Sequence, residues 1–273
     1  AIIDTDDVWE PNKLTKQVNA INNTKLSRET IGMVYCRVVE IDKNSVIVKE
    51  LCHKDYVGAM RHLGFQKKAI EQTRDRLAFN KGLVGFVGGP WTILNYAIGD
   101  EEVSDEFKHM YLKDVLVPLL QSSIRDQLAA GADAVMIFDS GLSNINKSYF
   151  DKEYSVLLKQ LADVGNTAYY SRTLPYNSLN KVIDLNFAGI GVDSTVDLNK
   201  TLKKVEHGFV QGNFDETLLL QNSETILKYE IKKWLDTIED PRGWVCGLGH
   251  GILKETPTKN VKMFVEMVRN HYS

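Results

Sequence analysis

The chain has 273 residues, 43% of them hydrophobic and 25% charged, enough apolar side chain to bury one large core of α/β-barrel size or two smaller ones. A net charge of −3 supplies no global attraction to nucleic acid or to an anionic membrane, so neither is an expected partner, and an anionic substrate has to be met by local positive charge. Cys36, Cys52 and Cys246 are widely spaced, odd in number and form no C-x-x-C pair, which argues against a disulfide framework and for a reducing cytoplasmic setting; no apolar run of about 18 residues is present to span a bilayer.

Residues 1–4, AIID, are apolar and β-prone, unlike a signal peptide, and run into the acidic cluster Asp4, Asp6 and Asp7. A strand ending in acids at a β-to-α loop places carboxylates at the rim of a sheet or barrel, while helix capping accounts equally for one or two of them. Residues 31–51 alternate β-branched and polar side chains on both sides of Asp42-Lys43-Asn44-Ser45, which predicts a β-hairpin. Residues 53–79 read as mostly helical, broken near Gly64, with Tyr56, Met60, Leu63 and Ile70 on the apolar side and Lys67, Lys68, Arg74 and Arg76 on a solvated face.

GLVGFVG at 82–88 is a continuous apolar run of the kind buried on both faces, and Gly89-Pro90 turns it into a helix carrying Tyr96. Its glycines lack the spacing of a dinucleotide fingerprint. Residues 104–130 form one long helix or two, since Pro118 interrupts the pattern, and Gly131 stops it. DAVMIF at 133–138 is the next strand and delivers Asp139 and Ser140 to its loop. The beat repeats, with helices at 148–164, 176–185, 198–205 and 216–240 and strands at 166–171, 188–192 and 207–213. The last unit is a strand at 243–247, a Gly-His-Gly turn that places His250 where strand gives way to loop, and a helix whose N-cap is Thr256 with Pro257 at its first position.

Alternating strands and helices imply a parallel sheet. Counting the strand at 1–4 gives seven central strands, one short of the eight that close a (β/α)8 TIM-type barrel, so the expected fold is such a barrel lacking its first βα unit in this chain, over a single domain at 1–273. A doubly wound open sheet is the alternative.

GFVGGPWTILNY at 85–96, AGADAVMIFDS at 130–140, GVDSTVDL at 191–198, QGNFDE at 211–216 and GLGHGILKETPTKNV at 247–261 together resemble the uroporphyrinogen decarboxylase family, in order and spacing, across nearly the whole chain. The resemblance implies a chain that begins about 70 residues earlier, the span of one βα unit and an N-terminal arm. It also implies a cofactor-free decarboxylase, a homodimer, that removes the four acetate arms of the tetrapyrrole uroporphyrinogen to give coproporphyrinogen.

By that resemblance Asp6 is the aspartate that hydrogen-bonds the pyrrole N–H groups and stabilises a cationic intermediate, the charge-reversed counterpart of an oxyanion hole. Tyr96, Ser140 and His250 fall on positions that contact the carboxylate arms or support the aspartate, and Phe86 on one that packs against the macrocycle. Each has a plainer structural reading, as core residue, cap or satisfied hydroxyl. The arginine-bearing RQAGRY segment of the family does not occur in this sequence. Arg172, just past the strand at 166–171, is a candidate source of local charge for an eight-carboxylate substrate, without support from a family motif. Two rival functions remain at this stage: a zinc-dependent methyltransferase on the same barrel, disfavoured because no His-x-Cys pair occurs, and a catalytically degenerate tetrapyrrole-binding relative.

Overall fold

A computed structural model describes residues 38–41, 47–51 and 67–272, apart from 79, 100, 101, 173 and 175. The expected strand at 1–4, Asp6, the hairpin turn at 42–46 and the helical positions Tyr56, Met60, Leu63 and Gly64 lie outside the described residues. The hairpin itself is formed by β1 (Val38–Ile41) and β2 (Ile47–Leu51), which pair antiparallel with Val38 opposite Leu51.

Two compact units divide the chain, one within Ala1–Gly85 and Pro90–Ala132, the other Phe86–Gly89 with Asp133–Ser273. In the first, residues 67–76 are helical and Ile70 is buried. Arg74 departs from its expected place on a solvated face. It is half-buried, and its guanidinium donates from Nε to the Gly131 carbonyl at 2.9 Å and from Nη1 to the Lys81 carbonyl at 3.2 Å. Gly131 has φ +105°, a conformation that L side chains resist, and its carbonyl accepts the arginine.

The helix α1 (Pro90–Ile98) starts on proline, whose missing N–H would have had no partner in the first turn anyway. After it, α2 (Asp105–Tyr111) is capped by the Ser104 hydroxyl, which accepts from the Phe107 N–H at 3.2 Å. One widened π-helical stretch, Leu112–Leu116, leads directly into α3 (Val117–Ala129). The choice between one helix and two is thereby resolved as a continuous run, because the widened turn sets Pro118 in the opening turn of α3. Leu112, Leu116, Val117, Leu120 and Ile124 form its buried stripe.

A single sheet joins β3 (Val84–Gly88), β4 (Ala134–Phe138), β5 (Thr167–Tyr170), β6 (Gly189–Gly191), β7 (Phe209–Phe214) and β8 (Trp244–Leu248) in that spatial order, and β4 to β8 pair in parallel. The helices between and after them are α4 (Ser155–Ala162), α5 (Tyr176–Ile183), α6 (Leu198–Lys204), α7 (Glu224–Leu235) and α8 (Thr258–His271). Spatial order follows chain order throughout, without the reversal that defines the switch point of a doubly wound sheet.

Three further expectations change. The run at 82–88 is not buried on both faces. Gly85 and Val87 are buried, and a Cβ on Gly85 would sit 2.2 Å from Oε1 of Gln127 on α3, whereas Val84 and Phe86 on the opposite face are exposed. The helix expected at 216–240 is broken into a 3-10 turn, Glu216–Leu220, and α7. Asp215 caps the turn through the Thr217 N–H and Ser223 caps α7 through the Ile226 N–H. Buried Asn260 donates from Nδ2 to the carbonyls of Leu219 at 2.8 Å and Gln221 at 2.9 Å, taking up acceptors that a continued helix would need. Finally, Thr256 does not cap the last helix: α8 opens with Pro257 in the cap position and no side-chain cap bond, and the buried Thr256 hydroxyl has no hydrogen-bond partner among the described residues.

Phe214, Leu219, Leu227, Ile231, Leu235 and Phe264 form the core between β7, α7 and α8, with Trp234, Trp244 and Cys246 packed against it. The inner face of the sheet carries a smaller cluster, Met136, Ala168 and Tyr170 with Phe209 beside it. Two glycines make room for it. A Cβ on Gly189 would fall 2.2 Å from the Phe209 ring, and one on Gly191 would fall 2.9 Å from the Tyr170 ring. Among the described residues no helix is long and apolar enough to cross a membrane.

Candidate active site

Because β4 to β8 run parallel, the residues just past their C-terminal ends gather along one edge of the sheet, where barrel and open α/β folds alike build their sites. The second residue beyond each of these strands is polar: Ser140, Arg172, Asp193, Glu216 and His250. Alternation along each strand then decides which neighbours face the helices and which face inward.

After β4 the split is sharp. Asp139 is fully buried, and its Oδ2 accepts the hydroxyl protons of Tyr154 and, at 2.9 Å, of Tyr169. Gly89 is required opposite it, since a Cβ there would stand 2.2 Å from the Asp139 Cγ. Burial, and then the charge and hydrogen bond of Asp139, hold the Tyr169 phenol well above its ordinary range. Asp139 is therefore a fastening for the post-β4 loop. Phe138, one residue earlier, shares the face of Met136 and is 40% exposed, and Ser140 follows with an exposed side chain.

Phe138 lies at the centre of an aromatic ledge. Its ring meets Phe86 edge-to-face at 6.4 Å and Tyr170 at 5.8 Å, and Phe86 is 54% exposed. Edge-to-face aromatics with one side in solvent make a rigid apolar surface at low entropic cost. Tyr170 links the ledge to the last turn: its hydroxyl donates to the Gly249 carbonyl at 2.7 Å, directly before His250. Burial raises the Tyr170 phenol far above its usual range, and Asp193, Arg172 and Glu216 all act on it electrostatically, so these three charged groups surround the end of β5.

At the rim Arg172 Nη2 lies 3.6 Å from Oε1 of Glu216, whose side chain is only 5% exposed. Asp193 is buried, and its Oδ1 accepts the Thr195 N–H at 2.9 Å, as Asp215 does for Thr217 at 2.9 Å. These two acids are turn-formers first. Gly249 packs against the Asp193–Ser194 backbone, where a Cβ would fall 2.5 Å from the Ser194 nitrogen, which explains a glycine before the histidine. The His250 ring is half-buried and its Nδ1 has no hydrogen-bond partner among the described residues. Leaving a buried nitrogen unpaired costs about 1–3 kcal/mol, a cost that native sites accept where a ligand completes the bond.

Of the residues singled out from sequence, Phe86, Ser140, Arg172 and His250 thus belong to one edge of the second unit. Tyr96 belongs to the first unit and stands 55% exposed on α1. Asp6 lies outside the described residues. Phe138, Tyr170 and Glu216 were not legible as site residues: Phe138 and Tyr170 read as interior strand positions and Glu216 as the start of a helix. The signal for the pair is their shared register, Phe138 opposite Tyr170, at the last rung of β4 and β5. Among the described residues no group of three or more His, Cys, Asp or Glu is placed to hold a metal. Cys246 is partly buried on the helix side of β8, and burial pushes its thiol up to about 12.

A family model described as uroporphyrinogen decarboxylase matches residues 41–271. The chain belongs to the uroporphyrinogen decarboxylase family. A uroporphyrinogen decarboxylase from Orientia tsutsugamushi (strain Ikeda) is 32% identical over 228 residues, 76% of this chain and 65% of that protein. One from Campylobacter jejuni (strain 81-176) is 29% identical over 243 residues, 81% of this chain and 69% of that protein. Against the Orientia protein, the chain spans just under two thirds of its relative's length.

Among solved structures, a methyltransferase from Methanosarcina mazei superposes with a TM-score of 0.63 at 20% identity, over 79% of this chain and 67% of that one. A B12-independent methionine synthase from Shewanella sp. W3-18-1 gives 0.54 at 14% identity, over 76% and 67%. At such identities the likeness is one of fold. Family, neighbours and sequential strand order together place the chain in the TIM-type barrel class and remove the doubly wound alternative.

Proposed function

We propose that the protein decarboxylates the acetate arms of uroporphyrinogen to give coproporphyrinogen, as a step of tetrapyrrole synthesis and without a cofactor. Membership of the family, with its motifs falling on the rim residues described above, carries this reading. A tetrapyrrole with acidic arms suits an aromatic ledge of Phe86, Phe138 and Tyr170, against which pyrrole faces can pack, bordered by Arg172, Ser140 and His250.

The chemistry asks for an electron sink. A proton added to the pyrrole α-carbon next to the one that bears the acetate arm makes the ring cationic, and the electron pair of the C–CO2 bond flows into it as CO2 leaves, giving an exocyclic methylene on the arm-bearing carbon. A second proton then turns the exocyclic methylene into methyl as the ring carbon gives its proton back, so one carboxylate and one proton become one methyl and one CO2. Asp6 is assigned to stabilise the cation by accepting the pyrrole N–H hydrogen bonds. Tyr96, Ser140 and His250 are assigned to the arms, and Phe86 to the macrocycle face. The protein is further proposed to work as one barrel domain over residues 1–273, in the cytoplasm and as a homodimer, which sedimentation of the full-length protein tests directly.

The methyltransferase alternative gains nothing from the fold likeness, and the sequence has no His-x-Cys pair to supply soft zinc ligands. The deciding experiment incubates full-length protein anaerobically with uroporphyrinogen and follows CO2 and coproporphyrinogen. Turnover is expected, and a folded protein that releases no CO2 sinks the proposal in favour of the degenerate relative. For Asp6→Ala the expected loss of turnover is about 10²–10³-fold with the circular dichroism spectrum unchanged, and near-normal turnover removes Asp6 from its role.

A further inference from the structure

We infer that Arg172 is a specificity-determining residue that binds a carboxylate arm of the substrate, with buried Glu216 as the group that holds it in position. The inference rests on the proposed tetrapyrrole reading for the identity of the arm, and on the structure for the residue.

Place comes first. Arg172 is the second residue beyond β5, in line with Ser140 and His250 along the C-terminal edge of the sheet, and β5 ends on Tyr170, where the aromatic ledge stops. An apolar ring system laid on Phe86 and Phe138 and carrying acidic arms therefore reaches Arg172 just past its own edge. The Tyr170 hydroxyl is bonded to the carbonyl before His250, so the ledge is tied to the histidine turn, and Arg172 follows Tyr170 by two residues.

The form of the ion pair is the second argument. Glu216 is 5% exposed but Arg172 is 48% exposed, and their closest approach is 3.6 Å. A pair built only to compensate a buried carboxylate would be shorter and two-pronged, near 2.7–2.9 Å. Here the acid anchors one edge of the guanidinium loosely while nearly half the side chain meets solvent. A planar guanidinium is also the side chain whose fork matches a carboxylate.

Charge balance is the third argument. Asp193 and Glu216 flank the end of β5 and the whole chain is net negative, so a substrate of up to eight carboxylates meets repulsion at this edge unless a cation stands there. Arg172 is the cation among the groups acting on Tyr170.

The test uses full-length protein and two probes: uroporphyrin, the fluorescent octacarboxylate, for affinity, and uroporphyrinogen for turnover. Arg172→Gln is expected to weaken uroporphyrin binding at least tenfold and to raise KM for uroporphyrinogen by a similar factor, with kcat within about threefold, and Arg172→Lys is expected to recover part of the affinity. A purely structural arginine makes a different pattern, because Glu216→Gln removes the charge it would neutralise. In the double variant Arg172→Gln, Glu216→Gln, thermal stability is expected to return towards wild type while affinity stays low.

Unchanged affinity and KM in Arg172→Gln, or affinity restored in the double variant, overturns the inference. Arg172-dependent binding of uroporphyrin by a protein that releases no CO2 upholds it while refuting the proposed reaction. Normal turnover with no Arg172 effect does the reverse, and a wild-type protein that neither binds nor turns over refutes both.

Discussion

The two sides of the one sheet are built to different standards. On the helix side of β7 and β8, Phe214, Phe264, Leu227, Ile231 and Leu235 are almost wholly buried, and Trp234 and Trp244 have partners for their indole N–H groups, Asn213 Oδ1 at 3.4 Å and the Gly212 carbonyl at 2.6 Å. On the inner side, at the C-terminal ends of the strands, Phe86 and Phe138 stay exposed, Glu216 is buried against a stretched ion pair, and the His250 Nδ1 has no hydrogen-bond partner among the described residues. The contrast teaches where the molecule accepts imperfect packing: natural structures leave apolar ledges and unpaired polar atoms where a ligand finishes the packing.

The contrast can be broken by substitution on each side. Phe264→Ala, in the finished core, is expected to cost about 3–5 kcal/mol in urea unfolding, because the ring leaves a cavity that its neighbours fill only in part. A result below about 1 kcal/mol would mean that the helix side is no better packed than the rim.

Chemical modification sharpens the same side. Burial raises the Cys246 thiol from its ordinary 9 to about 12, which lowers the fraction of reactive thiolate at every pH below that value. At pH 8 iodoacetamide is therefore expected to alkylate Cys246 at least about 100-fold more slowly in native than in urea-unfolded protein, with the rate rising as pH climbs towards 12. Peptide mapping by mass spectrometry reads this out, and equal native and unfolded rates would contradict it. A smaller cost, about 1–3 kcal/mol, is expected for Asn260→Ala, which leaves the Leu219 and Gln221 carbonyls without their donor.

The smallest stability effect belongs to the rim. Phe86→Ala is expected to change unfolding free energy by no more than about 0.5 kcal/mol, since the side chain is already half in solvent. Uroporphyrin binding should nevertheless weaken about 3- to 10-fold, the loss of one aromatic face. A large stability loss with unchanged binding would move Phe86 from the ledge to the core.

The alternation of strands and helices, the strand positions from 84 to 248 and the family were all legible in the sequence, because period-2 and period-3.6 patterns and the GLGHGI turn are local properties of the chain. Ser140 and His250 were legible for the same reason: each stands at a strand-to-loop boundary. Other features depend on partners distant in the chain. A continuous apolar run at 82–88 does not say which of its faces a helix will cover; Gln127 fills the space beside Gly85 on one face, and Phe86 stands exposed on the other.

Helical spacing runs on through 216–240, and it took Asn260, 39 residues beyond Gln221, to show where the helix is broken. Asp139 and Glu216 look alike as acids that end a strand. Only the tertiary structure decided that two tyrosines close off the first on the helix side, while the second is paired with a half-exposed arginine at the rim, because a carboxylate takes its role from the donors packed around it.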